Sequence, residues 1–393
     1  MLRFIGKTII FVQLVLVLAW FLGDKFIPLR PTFTGTELVE LNAFSFLWSR
    51  ANFDGVHYVQ IARDGYGYLQ QAFFPFYPQL ISFFKNFFVF FTPAGIFVSL
   101  VSFISSLVIL DKLLTSEGIK QKRVKRIILF LAFFPTAYYF SSVYTESVFL
   151  FLVLSSFYLS KQKRYLLAGI VAGLASYTRI VGIFLVPALI IDYCSQENCN
   201  FTGSIKDKLR KGFKTLCFSG ISSWGLLSYM YFLKRTTGDY LYFSHVQQGF
   251  GAGRTTEKLI LIYQVFWRYI KMLFTVNPNQ WTFYFVLLEF VVSVSFLGLI
   301  VWGWYKRKEY KIRSSWLVFA TFAFALPTLT GTFLSMPRFV LVCFPCFIVI
   351  ERLLSNVKKG NKVLMMLSKY YLYISAIFLF IIAAFFFRGY WVA

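Results

Sequence analysis

The sequence predicts an all-α protein that crosses a membrane many times, organised as a single integral-membrane domain over 1–393. Composition points there first: 58% of the 393 residues are hydrophobic, 21% aromatic and only 14% charged, whereas soluble domains carry roughly 25% charged residues. Mean hydropathy is +0.66, and it arises from recurring apolar runs of about 18 residues or more, the length a helix needs to span a bilayer. The third observation is that basic residues cluster in short loops between those runs. No polar stretch is long enough to build a soluble core of its own.

Each element follows from those runs, taking the N-terminus as cytoplasmic. A first span over 8–28 follows Arg3 and Lys7. It is longer than a signal-peptide core and has no A-x-A cleavage site, so it reads as a retained anchor. Further spans are expected at 93–114, 127–141, 146–160, 165–178, 180–193, 214–233, 282–304, 314–334, 338–354 and 370–388. That makes about eleven transmembrane helices, several of them short enough to tilt, break or re-enter. The threading places KQKRVKR (120–126), KQKR (161–164), KDKLRK (206–211), YKRKEYKIR (305–313) and KKGNK (358–362) on one face. Short Lys/Arg-rich loops mark the cytoplasmic side.

Two long segments, 29–92 and 234–281, then fall on the opposite, extracytoplasmic face. In the first, LISFFKNFFVFF is interrupted by Lys85 and Asn86 and followed by Pro93; it reads as an interfacial or re-entrant helix. In the second, LIYQVFWRYIKMLF sets Arg268 and Lys271 on one helical face opposite aromatic residues, as in a membrane-surface helix. No internal repeat is visible, which argues against an inverted-repeat transporter.

The formal charge of +24 does not imply a nucleic-acid partner, because membrane spans separate the basic clusters and no contiguous basic face results. The five cysteines do not suggest a disulfide framework. Cys194, Cys199 and Cys217 lie in or beside a cytoplasmic loop, and Cys343 and Cys346 share a lone C-x-x-C in an apolar span without nearby histidine, so no metal site is expected. The sequon at Asn200 falls on the cytoplasmic side and should carry no glycan.

Ionisable residues within or beside a span are costly and mark function. Asp54, His57 and Asp64 sit in the first outer segment, Glu146 and Arg179 at outer turns, Arg254 in the second outer loop, and Arg338 in SMPRF; Glu289 lies alone in a span. Acids in the first half and arginines in the second gather at one face. Sugar transfer from a lipid-linked phosphosugar needs such a set. A carboxylate takes the proton of an acceptor hydroxyl, cations neutralise the departing phosphate, and nearby carboxylates stabilise an oxocarbenium-like centre. Asp54 is the expected base, Arg338 the first phosphate ligand, and Arg179 and Arg254 stand behind it.

Structural alternatives stay open for each residue. Asp54 before Gly55 has the form of a helix cap, His57 that of a hydrogen-bonded interfacial histidine, and Asp64-Gly65 that of a turn. Glu146 at a helix start complements the dipole, and Arg179 and Arg338 have the length to snorkel. The run AFFPFYP reads as a wall and a turn, and His245 has no assigned role.

FDGVHYVQIARDGYGYLQQAFFPFYP, from Phe53 to Pro78, resembles the first-loop signature of the PIG-V family, the GPI mannosyltransferase 2 type. That signature runs Trp-Asp-x-x-His-aromatic-x-x-Ile-Ala-x-x-Gly-Tyr and then Ala-Phe-Phe-Pro-x-aromatic-Pro. Asp54, His57, Tyr58, Ile61, Ala62, Gly65, Tyr66 and the run Ala72 to Pro78 match it. SSVYTES (141–147), SYTR (176–179) and SMPRF (335–339) are similar to later family segments in the same order. The resemblance implies a GT-C fold with a long first extracytoplasmic loop carrying the catalytic Asp54. Around it, His57, Tyr58, Glu146, Arg179, Arg254 and Arg338 would contact substrate.

It implies an inverting transfer of mannose, or a similar hexose, from a polyprenyl-phosphate donor to a lipid-linked or glycan acceptor. The reaction would take place outside the cytoplasm: at the plasma membrane of a prokaryote, or the lumenal face of the endoplasmic reticulum in a eukaryote. No nucleotide sugar, metal or other cofactor would be required; membrane lipids would be the remaining partners. Phe53 stands where the family has Trp, at what would be a sugar-facing wall. A flippase for lipid-linked glycans would instead line a path through the bilayer with charge, where only Glu289 lies deep. A non-catalytic membrane scaffold is the other alternative, and it makes no demand on any single residue.

Overall fold

The computed structural model of the protein describes residues 1–30, 44–197, 205–250, 260–357 and 362–392. Arg254, Cys199, the sequon at Asn200 and most of KKGNK lie outside the described residues. Every regular element among the described residues is helical. In chain order the principal ones are α1 Leu2–Phe26, α2 Asp54–Asp64, α3 Phe76–Lys85, α4 Phe91–Ser116, α5 Gln121–Ala132, α6 Glu146–Lys161 and α7 Tyr165–Thr178. They continue with α8 Leu185–Gln196, α9 Ile205–Thr237, α10 Ile262–Thr275, α11 Trp281–Tyr310, α12 Ser314–Thr328, α13 Phe344–Ser355 and α14 Lys362–Phe387. A single helical turn, Met336–Phe339, precedes α13.

Prolines set several of these boundaries. Pro78, Pro93 and Pro345 fall in the first turns of α3, α4 and α13, where the missing N–H has no intrahelical partner to lose. The expected span over 127–141 instead breaks: α5 ends at Ala132, and after Pro135 the chain continues as a 3₁₀ turn over Ala137–Ser141. The span expected over 338–354 breaks likewise at Cys343, two residues before Pro345. LISFFKNFFVFF is no continuous helix either, since α3 stops at Lys85 and α4 starts at Phe91.

Four described helices are long and apolar enough to cross a membrane: α1, α4, α11 and Ser368–Phe387 of α14. Six of the other expected spans correspond to helices of 12 to 16 residues, and the seventh lies inside α9. The apolar pattern therefore located the helices, while most are too short to be spans by length alone.

The bundle separates its charges to two ends. At one end Glu117 takes Lys161 at 2.8 Å and Arg313 at 2.7 Å, and Arg313 also reaches Asp192 at 2.6 Å. Arg126 meets Glu351 at 3.6 Å, and the next residue, Arg352, donates from Nη2 to the Tyr310 carbonyl at 3.5 Å. Glu117, Arg126, Lys161 and Arg313 come from loops expected on the cytoplasmic face, and Asp192 and Glu351 from the adjoining ends of expected spans. Helices α4 and α6 connect that end to the other, where Asp54, Glu146, Arg179 and Arg338 converge.

Between the ends the core is aromatic and small. Phe103 of α4 stacks on Phe140 with centroids 4.3 Å apart, and Phe157 of α6 meets Trp316 and Phe319 of α12. Where the surroundings are as apolar as the side chains, close packing rather than water exclusion holds helices together. The contact of α7 with α9 shows this. A Cβ on Gly225 would lie 2.0 Å from the Gly173 carbonyl oxygen, and one on Gly173 would lie 1.9 Å from Trp224 Nε1.

Candidate active site

Asp54 reaches the site because Arg50 and Asn52, just before Phe53, are tied down from three directions. Arg50 Nη1 donates to the Ser141 carbonyl at 3.0 Å and Nη2 to Gln13 Oε1 of α1 at 2.9 Å. Asn52 Nδ2 donates to the Phe386 carbonyl of α14 at 2.9 Å, while the Asn52 carbonyl accepts Tyr144 OH at 2.7 Å. Phe53 then takes φ 59°, ψ −119°, a region that non-glycine residues rarely occupy. It is the N-cap of α2, so Asp54 is the first helical residue and not the cap. Gly55 follows because a Cβ there would press to 3.3 Å on both the Val143 carbonyl oxygen and Ala51 Cβ.

Asp54 Oδ2 lies 2.6 Å from Arg338 Nη1. The Asp54 side chain is 23% exposed and that of Arg338 only 9%, so the acid opens outward and its partner cation lies beneath it. Arg338 Nε is 3.3 Å from Glu146 Oε1, without hydrogen-bond alignment. Arg179 Nη1 donates to the same Oε1 at 2.8 Å. Two carboxylates and two guanidiniums thus alternate as Asp54, Arg338, Glu146, Arg179, and their formal charges cancel. Glu146 is 1% exposed, and its Oε2 is buried with no hydrogen-bond partner among the described residues.

Aromatic rings enclose the arginines. The Arg338 guanidinium lies 5.6 Å from the Tyr139 ring, 5.3 Å from Tyr144 and 5.0 Å from Phe339; Arg179 lies 5.1 Å from Phe339. Rings at these distances attract a cation and exclude water. His57, one turn after Asp54, stacks on Phe73 with centroids 4.9 Å apart. Burial holds its imidazole below the usual histidine range, and the Asp54 charge pulls it the other way. Tyr58 is buried edge-on against Phe73 and Tyr77, so its ring is a wall behind His57. AFFPFYP forms that wall and its turn: Phe73 under His57, Phe74 against Tyr229, and Tyr77 OH bonded to the Gly95 carbonyl.

Of the residues singled out from sequence, Asp54, His57, Tyr58, Glu146, Arg179 and Arg338 share this one end. Asp64 closes α2 beside Gly65 at φ 82° and pairs with its neighbour Arg63, a turn role. Phe53 does not face the site; it is buried against Phe386 and Trp391, because the reversed φ turns its side chain inward. Arg268 and Lys271 are both exposed, on the side of α10 away from the buried Val265 and Tyr269. Arg268 donates to the Gly331 carbonyl at 2.6 Å, while Lys271 sits over Trp267. His245 pairs with Asp239 at 2.6 Å on the exposed Tyr242–His245 turn.

Sequence reasoning missed Arg50, Tyr139 and Tyr144. The signal was available in part: WSRANFD places an arginine four residues before the acid, and YYF precedes SSVYTE. Glu289, read as solitary, is held by Tyr269 and by the Ser335 amide. Among the described residues no three His, Cys, Asp or Glu side chains gather as metal ligands do.

No family model and no curated protein matches the sequence, so the PIG-V resemblance rests on its motifs. Among solved structures, the apo oligosaccharyltransferase of Archaeoglobus fulgidus is similar at 13% identity and a TM-score of 0.43, over 97% of this chain and 56% of that one. The chain thus spans about half the length of that protein, and a likeness of this degree assigns neither family nor activity.

Proposed function

We propose that the protein is a membrane-embedded glycosyltransferase that moves a hexose from a polyprenyl-phosphate donor to a hydroxyl of a lipid-linked or glycan acceptor. The observation that supports this reading is the outward-facing Asp54 carboxylate held 2.6 Å from the buried Arg338 guanidinium, with Glu146 and Arg179 completing the set. A base alone or an arginine pair alone has many uses. A partly exposed carboxylate beside two enclosed guanidiniums supplies both halves of an inverting transfer.

Asp54 accepts the proton of the acceptor hydroxyl as its oxygen attacks the anomeric carbon. The bond from that carbon to the phosphate oxygen breaks, and the phosphate departs with the electron pair. Arg338 and Arg179 sit where that growing charge is best neutralised, and their planar donors match phosphate better than an ammonium does. Glu146 lies between the two arginines, bonded to Arg179 and 3.3 Å from Arg338, and so keeps both cations at the site. His57, backed by Phe73, offers a flat surface beside the base for a sugar ring. Mannose is the hexose favoured by the motif resemblance.

The test is direct. Full-length protein in lipid nanodiscs is given polyprenyl-phosphate mannose or glucose with a mixed glycolipid acceptor, and sugar-free polyprenyl phosphate as competitor. The expected result is release of polyprenyl phosphate coupled to acceptor glycosylation, inhibited by the competitor. Absence of transfer from either donor, together with no binding of the competitor, would overturn the reading.

A further inference from the structure

We propose that Glu289 is a positioning residue: through the loop before Met336 it sets where Arg338 meets Asp54. Glu289 lies in the third turn of α11 and is 3% exposed. Its Oε2 accepts a 2.6 Å hydrogen bond from Tyr269 OH of α10, and its Oε1 accepts the Ser335 backbone N–H at 3.1 Å. Tyr269 OH is also 3.1 Å from Thr332 Oγ1 and accepts the Phe333 N–H at 3.2 Å. Thr332 Oγ1 in turn accepts the Leu334 N–H at 3.1 Å. Three successive backbone donors, at 333, 334 and 335, thus end on one side-chain network anchored by a buried carboxylate.

The network bears on the site through the turn that leaves Ser335. That residue has φ 65°, ψ 11°, the left-handed region that costs an L-residue with a Cβ. Its carbonyl accepts the N–H of Arg338 and of Phe339, each at 3.0 Å, and so starts the turn that carries the guanidinium. Fixing the Ser335 N–H fixes the direction in which that turn leaves. A hydrogen bond to a carboxylate is stronger than one between neutral groups, enough to help hold a residue in an unfavourable conformation. The contact path is then Glu289, Ser335, Arg338, Asp54. Arg268, one residue before Tyr269, pins the same loop from its start at the Gly331 carbonyl.

The effect on donor binding rests on reading Arg338 as the phosphate ligand; the coupling of Glu289 to Arg338 does not. Full-length protein in nanodiscs is therefore compared as wild type, Glu289→Met, Arg338→Met and the double variant, with Glu289→Gln as the conservative control. Met matches the volume but removes both acceptor oxygens, whereas Gln keeps one for the Ser335 amide. Glu289→Met should weaken binding of sugar-free polyprenyl phosphate about tenfold, the effect of one buried donor left unmet. Glu289→Gln should recover most of it. In the Arg338→Met background Glu289→Met should cost nothing further, the non-additivity of coupled residues.

Unfolding midpoints of the same four proteins without ligand form a second cycle, with the same non-additivity expected. Equal costs of Glu289→Met in both backgrounds, in either cycle, would overturn the proposal. If wild type does not bind polyprenyl phosphate, the phosphate-site reading falls and the unfolding cycle decides the role of Glu289. If Glu289→Met does not fold, Tyr269→Phe, which removes the hydroxyl at the centre of the network, replaces it in both cycles.

Discussion

The Asp54 carboxylate and the Arg338 guanidinium meet at 2.6 Å although 284 positions separate them. Both are delivered by a non-glycine residue with positive φ: Phe53 immediately before Asp54, and Ser335 three residues before Arg338. Each such residue costs on the order of 1–3 kcal/mol and persists only where its surroundings over-determine it. Arg50 and Asn52 do this on one side, and the 333–335 amide network on the other. A fold seeking only stability would have a cheaper way to pair these charges. The two strained entries aim a partly exposed acid and an enclosed cation at one point, as a site for chemistry requires.

Glu146 is the keystone of the charge set, so its removal should be felt in stability before activity. Glu146→Ala leaves two enclosed guanidiniums with Asp54 as the remaining carboxylate of the four. Breaking a buried pair in this way costs about 3–5 kcal/mol. The measurement is the unfolding midpoint in nanodiscs, where a large downward shift is expected; a shift no greater than that of an exposed acid such as Asp64→Ala would refute the role.

Periodicity and punctuation made the helices legible. A helix opening beside Asp54, the turn at Asp64-Gly65 and the restart near Pro93 were all visible, because each depends on neighbours within a turn or two. The sign of φ at Phe53 was not, since a phenylalanine carries no mark of the reversed turn that buries it on Trp391. Nor was the company of Glu289. A carboxylate in an apolar run looks solitary until Tyr269 and the Ser335 amide are brought to it by the crossing of α10 and the 331–335 loop. Pairings across hundreds of residues, Asp54 with Arg338 above all, were suggested only by the chemistry both would serve.

The α7–α9 contact should tolerate no added carbon. In Gly225→Ala the new Cβ would lie 2.0 Å from the Gly173 carbonyl oxygen, a backbone atom that cannot swing away. Overpacking of this kind costs about 1–3 kcal/mol, occasionally more, and the backbone clash places this case at the upper end. Gly220→Ala, on the same helix with nothing within 4 Å of its Cβ, is the control. Unfolding midpoints should fall for the first and hold or rise for the second, since alanine suits a helix interior better than glycine.

His57 should make stability sensitive to mild acid. Burial lowers its pKa in the folded protein, with Asp54 opposing the shift. Below the ordinary histidine value of about 6.5 the unfolded chain binds the proton more readily than the folded one, so stability rises with pH across that window. The contribution is fully present above about pH 6.5 and is lost as pH falls through the folded value. His57→Gln should remove this component of the acid unfolding curve. A curve superimposable on wild type between pH 5 and 7, roughly the range of histidine titration, would show that His57 does not supply it.

Asp54→Asn is the sharpest test of the chemistry. The amide keeps the shape of the carboxylate and still offers an oxygen to Arg338, but it cannot hold a proton taken from an acceptor hydroxyl. Loss of a general base lowers turnover by about 10²–10⁴-fold. Donor affinity should hold or tighten, because Arg338 loses a competing anion while Glu146 and Arg179 remain in place. Asp64→Asn should be close to wild type, since Asp64 pairs with exposed Arg63 at the end of α2. Turnover and polyprenyl-phosphate affinity are measured separately for both variants, with unfolding midpoints confirming that each is folded. Near-normal turnover by Asp54→Asn would remove it as the base. An equal loss in donor affinity and turnover would instead make the Asp54–Arg338 pair a device for binding, with proton transfer assigned elsewhere.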